Sequence, residues 1–299
     1  MNQVKRPIIG VALMLGAMAV LPGIDVIAKL LGQQGMPILQ VVWARLALGA
    51  LMTLPFALRI AGPKALWPDR PWYHTLRAAF LVAATFFFFL SLKWLPIADA
   101  LAIFFVQPLI VTVLSAFVLR EAVGPRRWIA VAVGFIGTLI IIRPGIAELN
   151  PGSWLAFGAG VTLAFYFVMT RAISGRAHAM VTMFQTSLLG GLILSAGIWW
   201  VWVWPSPTQW AMLAALAFIG TAGHLLIVRA YDHAEASLLA PLAYTEMITS
   251  VALGWLFFSD FPDAYTFLGV AILISCAIYI SMRERANGQV PAPKVQAQP

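Results

Sequence analysis

LKWLPIADALAIFFVQPLIVTVLSAFVLRE, residues Leu92 to Glu121, is the stretch on which the fold turns. From Ile97 to Leu119 it carries a single formal charge, Asp99. A helix needs roughly 20 apolar residues to cross the hydrocarbon core of a bilayer, and this run supplies them. A second stretch, VRAYDHAEASLLAPLAYTEMITSVALGWLFFSD from Val228 to Asp260, has the same layout. Moved along by 136 residues, Lys93, Ala98, Asp99 and Ala100 fall on Arg229, Ala234, Glu235 and Ala236. Moved by 139, Gln107 falls on Glu246 and Glu121 on Asp260. Upstream, a shift of 142 carries Gly16, Lys29 and Gly49 onto Gly158, Arg171 and Gly191. The matches are sparse but keep their order. Residues 1–146 are therefore expected to recur as residues 147–286, with five spans in each half. Five is odd, so the halves insert in opposite senses, an arrangement that puts a substrate site near the midplane between them.

Composition agrees. Of 299 residues, 62% are hydrophobic and 10% charged. A soluble domain carries about 25% charged residues, so this chain lacks the polar surface to cover a globule in water. The expected fold is an all-α integral membrane protein, with ten transmembrane helices as two inverted five-helix repeats around a central cavity. The expected spans are Ile8–Leu31, Met36–Ile60, Trp72–Leu92, Ile97–Leu119, Arg127–Ile142, Gly152–Arg171, Ala179–Val203, Gln209–Ala230, Glu235–Phe258 and Ala264–Met282. Short turns such as Gly124-Pro125 and Pro205-Ser206-Pro207 join them. The basic start, Met1 to Arg6, runs into the first span without a small-residue cleavage site, and reads as the lead of a retained helix. Residues 287–299, rich in Pro, Gln and Ala, read as a disordered cytoplasmic tail.

The net charge of +8 does not point to nucleic acid, because the basic residues sit between apolar spans. With the N-terminus inside, fifteen of the 19 Lys and Arg fall at cytoplasmic ends. Three (Lys29, Lys93 and Arg143) fall at outer ends, and Arg45 lies within a span. The positive-inside rule then puts both termini in the cytoplasm. The lone Cys276 excludes an intrachain disulfide. No phosphate-binding glycine loop is present, and the four histidines lack metal-ligand spacing. Of these, His74, His178 and His233 are expected in solvated loops. No catalytic residue, metal or cofactor is expected.

Ten helices in two halves at this length resemble the drug/metabolite transporter superfamily, and within it the EamA family. The patterns that carry the resemblance are Asp25-x-x-x-Lys29 followed by Gln40 and Arg45, then Leu92–Ala100, then Glu121 before a helix with Gly134 and Gly137. It covers Ile8 to Met282. The halves depart from each other chemically: Arg45 has no basic counterpart near Ser187, and Asp25 falls opposite Phe167. The resemblance implies transport of amino acids and related metabolites, with flavins, S-adenosylmethionine and metallophores in the same range. It sets neither substrate nor direction.

An ionisable group inside a span costs about 2.5–3.5 kcal/mol on the insertion scale, so each needs a reason. Asp25 and Lys29 lie one turn apart on one face, and Arg45 enters the second span at a comparable outer depth. A pair among the three would leave one positive charge for a substrate carboxylate, which the planar fork of arginine suits. The alternative is an ion pair that only clamps two spans, and Lys29 alone could snorkel to the interface. Glu246, which falls opposite Gln107, is either a proton carrier or amine ligand, or a neutral packing group. His224, after Gly220–Gly223, binds substrate or only packs. Trp43, Tyr166 and Tyr244 are deep enough to line a pocket, although Trp43 cannot face the same spot as Arg45. Pro22 with Gly23, Pro108 and Pro241 interrupt spans and are either hinges or tolerated kinks. Trp199, Trp200, Trp202 and Trp204 read as an interfacial belt.

The leading expectation is a secondary transporter that exports amino acids, aromatic ones included, from a bacterial cytoplasm across the inner membrane by alternating access. The alternative is an importer of a vitamin or nucleoside-like cofactor such as riboflavin or S-adenosylmethionine. A membrane-embedded enzyme is disfavoured, since the ionisable residues are sparse and at different depths. A channel is disfavoured because no ring of charges lines a pore. The expected partners are a small-molecule substrate and membrane lipid, not nucleic acid. A monomer is compatible with the sequence.

Overall fold

In the computed structural model the chain is described over residues 7–118, 124–143, 150–172, 178–233 and 239–288. Helices and short turns account for these residues, with no strand among them. In chain order the helices are α1 (Pro7–Val20), α2 (Pro22–Gln33), α3 (Ile38–Ala61), α4 (Pro71–Ser91), α5 (Ile97–Phe104) and α6 (Gln107–Val118). Then come α7 (Pro125–Ile142), α8 (Pro151–Ala172), α9 (Ala179–Ser195), α10 (Pro207–His233), α11 (Glu246–Phe258) and α12 (Ala264–Gly288). A 3-10 turn, Ala240–Thr245, leads directly into α11. Among the described residues six helical stretches are long and apolar enough to cross a membrane, and four shorter apolar helices accompany them.

Proline starts several helices at the position where its missing N–H costs nothing, as at Pro71 and Pro125. Left-handed residues end two of them, Arg143 (φ 52°) after α7 and Ser259 (φ 57°) after α11. Each donates its N–H to a carbonyl one turn back, Leu139 and Trp255, closing the helix end.

Three spans are interrupted. In the first, Pro22 cannot donate, and the chain turns at Leu21 before α2 resumes. In the fourth, the helix breaks at Phe105–Val106. Pro108 cannot bond the carbonyl of Phe104 four residues back, which helps end α5 there. On α8, Gly160 lies against that carbonyl. A methyl group at Gly160 would sit 2.9 Å from the Phe104 oxygen and 2.8 Å from Val106 Cγ1, so only glycine fits. In the ninth, a 3-10 turn containing Pro241, Ala240–Thr245, interrupts the span before α11 begins at Glu246.

The packing has a regularity at the level of spans. α4 lies against α8 and α9, while α10 lies against α1 and α3. The broken span α5–α6 packs on α8, while the Ala240–Thr245 turn and α11 pack on α1 and α2. Replacing each span by the one five later converts the first member of each pair into the second. The contacts α3 with α9, α7 with α12 and α5 with α11 map onto themselves. At the α7–α12 contact the backbones nearly touch, since a Cβ on Gly269 would meet the Gly137 oxygen at 2.6 Å. Large apolar side chains such as Ile129, Ile136, Ile248 and Trp255 face outward, as a lipid environment allows.

Several expectations need adjusting. The first and fourth spans are each two helices. The seventh helix ends at Ser195, not Val203, because a 3-10 turn at Ile198–Trp200 carries the tryptophans away from the helix. α12 continues past Met282 and through residues 287–288. The boundary at 146/147, Glu121, Glu235 and residues 289–299 lie outside the described residues.

Candidate functional site

Two of the half-helices that follow a break present an acid in their first turn: Asp25 in α2 and Glu246 in α11. The free N–H groups and dipole of a helix start favour negative charge, so the breaks give buried carboxylates a place. Glu246 and Asp25 lie within electrostatic reach of each other. Across from them Arg45 projects from α3. Its Nη1 donates to Thr85 Oγ1 on α4 at 3.1 Å, its Nη2 lies 3.5 Å from His224 Nε2 on α10, and Phe89 lies 5.8 Å from its guanidinium carbon. Asp25 and Tyr166 of α8 are the charged and polar neighbours it feels at longer range. Four spans and α8 thus bring Asp25, Arg45, Tyr166, His224 and Glu246 into one cluster linked by the Arg45–His224 contact and by electrostatic reach. Asp25 is buried, at 8% exposure, whereas His224 is exposed. Among the described residues Asp25 makes neither a hydrogen bond nor an ion pair.

Gln107 opens α6 as Glu246 opens α11, and is half-buried. The preceding residues meet each other: the rings of Phe105 and Tyr244 lie 5.0 Å apart, with Tyr244 buried. Gly23 packs against Ile219 of α10 beside the Pro22 break.

Lys29 stands apart from this cluster. Its Nζ donates to Asp260 at 2.8 Å and to the Leu95 carbonyl at 3.3 Å, and sits over the Phe258 ring. The expected Asp25–Lys29 contact pair does not form, because Lys29 is bonded to Asp260, and Asp25 and Arg45 interact only at longer range because the Arg45 fork is turned to Thr85 and His224. The same end of the molecule carries further cross-bonds. Gln40 and the Val203 backbone bond each other twice, Trp43 donates to Ser195 at 2.9 Å, and Thr266 donates to Asp99 at 2.8 Å. Arg143 pairs with Asp263. Burial works against the Asp263 charge, but the Thr266 N–H and Arg143 outweigh it and hold this carboxyl below its usual range. Trp43 therefore belongs to this end, edge-on to Trp202, and points away from Arg45.

Arg77 lies toward the opposite end. It is fully buried, at 0% exposure. It donates to Thr170 Oγ1 at 3.1 Å, to the Thr182 carbonyl at 3.3 Å and to Thr186 Oγ1, and its Nε has no partner. The Tyr166 ring lies 5.4 Å from its guanidinium carbon. His74, expected in a solvated loop, is instead buried in α4 with its Nδ1 unpartnered. His178 is exposed and accepts the Met180 N–H as the cap of α9.

Phe89 belongs to the aromatic run Phe86–Phe89, of which at least one ring is expected to point inward, whereas Thr85 carries no charge and offers no signal in the sequence. Arg77 did give one: it lies inside the apolar run Trp72–Leu92 but was counted with the loop charges.

The EamA-like transporter family model matches this chain twice, over residues 8–143 and 150–282. The S-adenosylmethionine uptake transporter of Rickettsia prowazekii (strain Madrid E) is 25% identical over 88% of this chain and 89% of its own. The riboflavin transporter of Vibrio cholerae is 28% identical over 84% and 85%. The pseudopaline exporter of Pseudomonas aeruginosa is 26% identical over 84% and 88%. One crystal structure superposes with a TM-score of 0.63 at 20% identity, over 92% of this chain and 98% of the other, a likeness of fold.

Proposed function

This chain belongs to the EamA-like transporter family, as a multi-pass membrane transporter of small molecules rather than an enzyme, and from that premise we propose that it carries amino-acid-like zwitterions. In this reading ten spans form two inverted five-helix halves that rock about the central chamber. Both termini lie in the cytoplasm of a bacterium, and the protein exports its solute across the inner membrane. The five-span regularity of the packing and the double family match support the two halves.

The observation that carries the substrate class is the charge layout around Arg45, whose guanidinium is held by the Thr85 hydroxyl and the His224 imidazole and is free to grip a carboxylate with two charge-assisted hydrogen bonds. Asp25 and Glu246, each in the first turn of a half-helix, supply the complementary acids for an ammonium, and Glu246 is the group this reading assigns to proton exchange. Phe89, Tyr166 and the Phe105–Tyr244 pair offer aromatic surface to a side chain. Pro22 with Gly23, Pro108 and Pro241 serve as the bending points.

A second reading, uptake of S-adenosylmethionine, is favoured by the relatives' names and is compatible with the same charges, because that molecule carries an amino-acid headgroup. Riboflavin has no carboxylate for Arg45 and fits less well. The test is flux through oriented proteoliposomes of labelled amino acids, S-adenosylmethionine and riboflavin, in both directions. Saturable flux of headgroup-bearing solutes from the Arg77 side outward is expected. Flux of riboflavin alone would overturn the substrate class, and strictly inward flux would overturn export.

A further inference from the structure

We infer that Arg77 is a second carboxylate station, which takes the solute's carboxylate between the central chamber and the Arg77 end; this rests on the transport reading above. The guanidinium has five N–H donors, and among the described residues they meet only neutral acceptors or nothing. Among the described residues no carboxylate pairs with it, although it is wholly buried. A buried charge without a counter-charge is costly, and breaking or completing its pairing dominates the local energetics. An arriving carboxylate would complete it.

The present partners can let go. Thr170 Oγ1 also donates to the Tyr166 carbonyl at 2.7 Å, and Thr186 Oγ1 to the Thr182 carbonyl at 2.7 Å. Both hydroxyls keep those bonds when Arg77 turns to another acceptor. Tyr166 borders both arginines, touching the Arg77 guanidinium with its ring face and lying within electrostatic reach of Arg45. Along α4, Thr85, which holds Arg45, is eight residues from Arg77, about 12 Å at the helical rise. That is a distance a small solute covers in one step. The bland alternative is a latch: Arg77 merely ties α4 to α8 and α9.

The two differ in what a carboxylate does to the protein. The experiment is the thermal shift of purified full-length protein in nanodiscs, given L-methionine or L-phenylalanine against the matching carboxamide. It is run on the parent, Arg45→Ala, Arg77→Gln, Arg77→Lys and the Arg45→Ala/Arg77→Gln pair. The inference expects a carboxylate-dependent shift that survives, reduced, in Arg45→Ala and vanishes in the pair. It also expects Thr186→Val, which removes one competing acceptor, to tighten apparent affinity about threefold in the Arg45→Ala background. If Arg45→Ala alone removes the whole shift, Arg77 binds no carboxylate and is only a latch, while the transport reading stands. If the parent shows no carboxylate-dependent shift, the substrate class and this station both fall. Arg77→Lys keeps the charge but loses the fork, so partial retention is expected there. Should Arg77→Gln not fold, Thr186→Val and Arg77→Lys still decide.

Discussion

The fourth and ninth spans break in the same way and carry different chemistry. In one, α5 stops at Phe104 and α6 starts with Gln107; in the other, a 3-10 turn ends at Thr245 and α11 starts with Glu246. Phe105 and Tyr244, separated by the same 139 residues as Gln107 and Glu246, lie tilted against each other where the two breaks meet. The backbone device is thus shared, while an ionisable group stands on one side only. Arg45 shows the same asymmetry, since Ser187 stands near its counterpart position. The packing pattern thus recurs five spans on while the charges do not, and on the proposed transport reading a polar solute meets two chemically distinct sides.

The comparison can be broken most severely at its support. Gly160→Leu would drive a side chain into the Phe104 carbonyl that the fourth-span break exposes. Overpacking of this kind costs about 1–3 kcal/mol or more, and the melting temperature and yield of monodisperse protein should fall sharply. Gly158→Ala, where the nearest atom is 3.6 Å away, should be tolerated and serves as the control.

Next in size is Glu246→Gln, which makes the two half-helix starts chemically alike. Flux of amino-acid-like solutes should drop by roughly tenfold or more, the scale of one lost charge-assisted contact. If Glu246 carries the proton, dependence on a proton gradient should disappear with it, and gradient-driven accumulation measures this. The converse, Gln107→Glu, adds a carboxylate on the mirror side. It should weaken affinity for a carboxylate-bearing solute by about threefold and leave folding intact, as competition binding would show.

The smallest effect lies at the Lys29 end. The Asp263 carboxyl is held below its usual range, so its contribution to holding that end is present above the unfolded-state value. It is lost as pH falls through the lower folded value. Asp263→Asn should therefore flatten the acidic limb of the stability–pH curve slightly, without changing stability at neutral pH by more than about 1 kcal/mol, because the pair is exposed.

Much of this was legible in the chain. Apolar length gave the helices, and Pro22, Pro108 and Pro241 marked the three interruptions, since a missing N–H acts locally. Arg45, Asp25, His224 and Glu246 stood out because charge inside a span is rare, and the structure gathers them. What escaped depended on partners distant in sequence. Lys29 turns to Asp260, 231 residues away, a choice that no local pattern announces. Thr85 matters only because Arg45 reaches it. Trp43 looked like a pocket residue until Ser195 and Trp202 claimed it. His74 seemed to belong to a loop because its helix begins with Pro71 one turn earlier.

The most direct test of the central claim is the flux of a labelled amino acid and of its carboxamide into proteoliposomes holding the parent or Arg45→Ala. Loss of a buried charge partner is worth about 2–5 kcal/mol. Amino-acid flux should therefore fall at least about tenfold in the variant, while slow carboxamide flux stays as it was in the parent. Equal amino-acid flux through parent and folded Arg45→Ala protein would contradict the account.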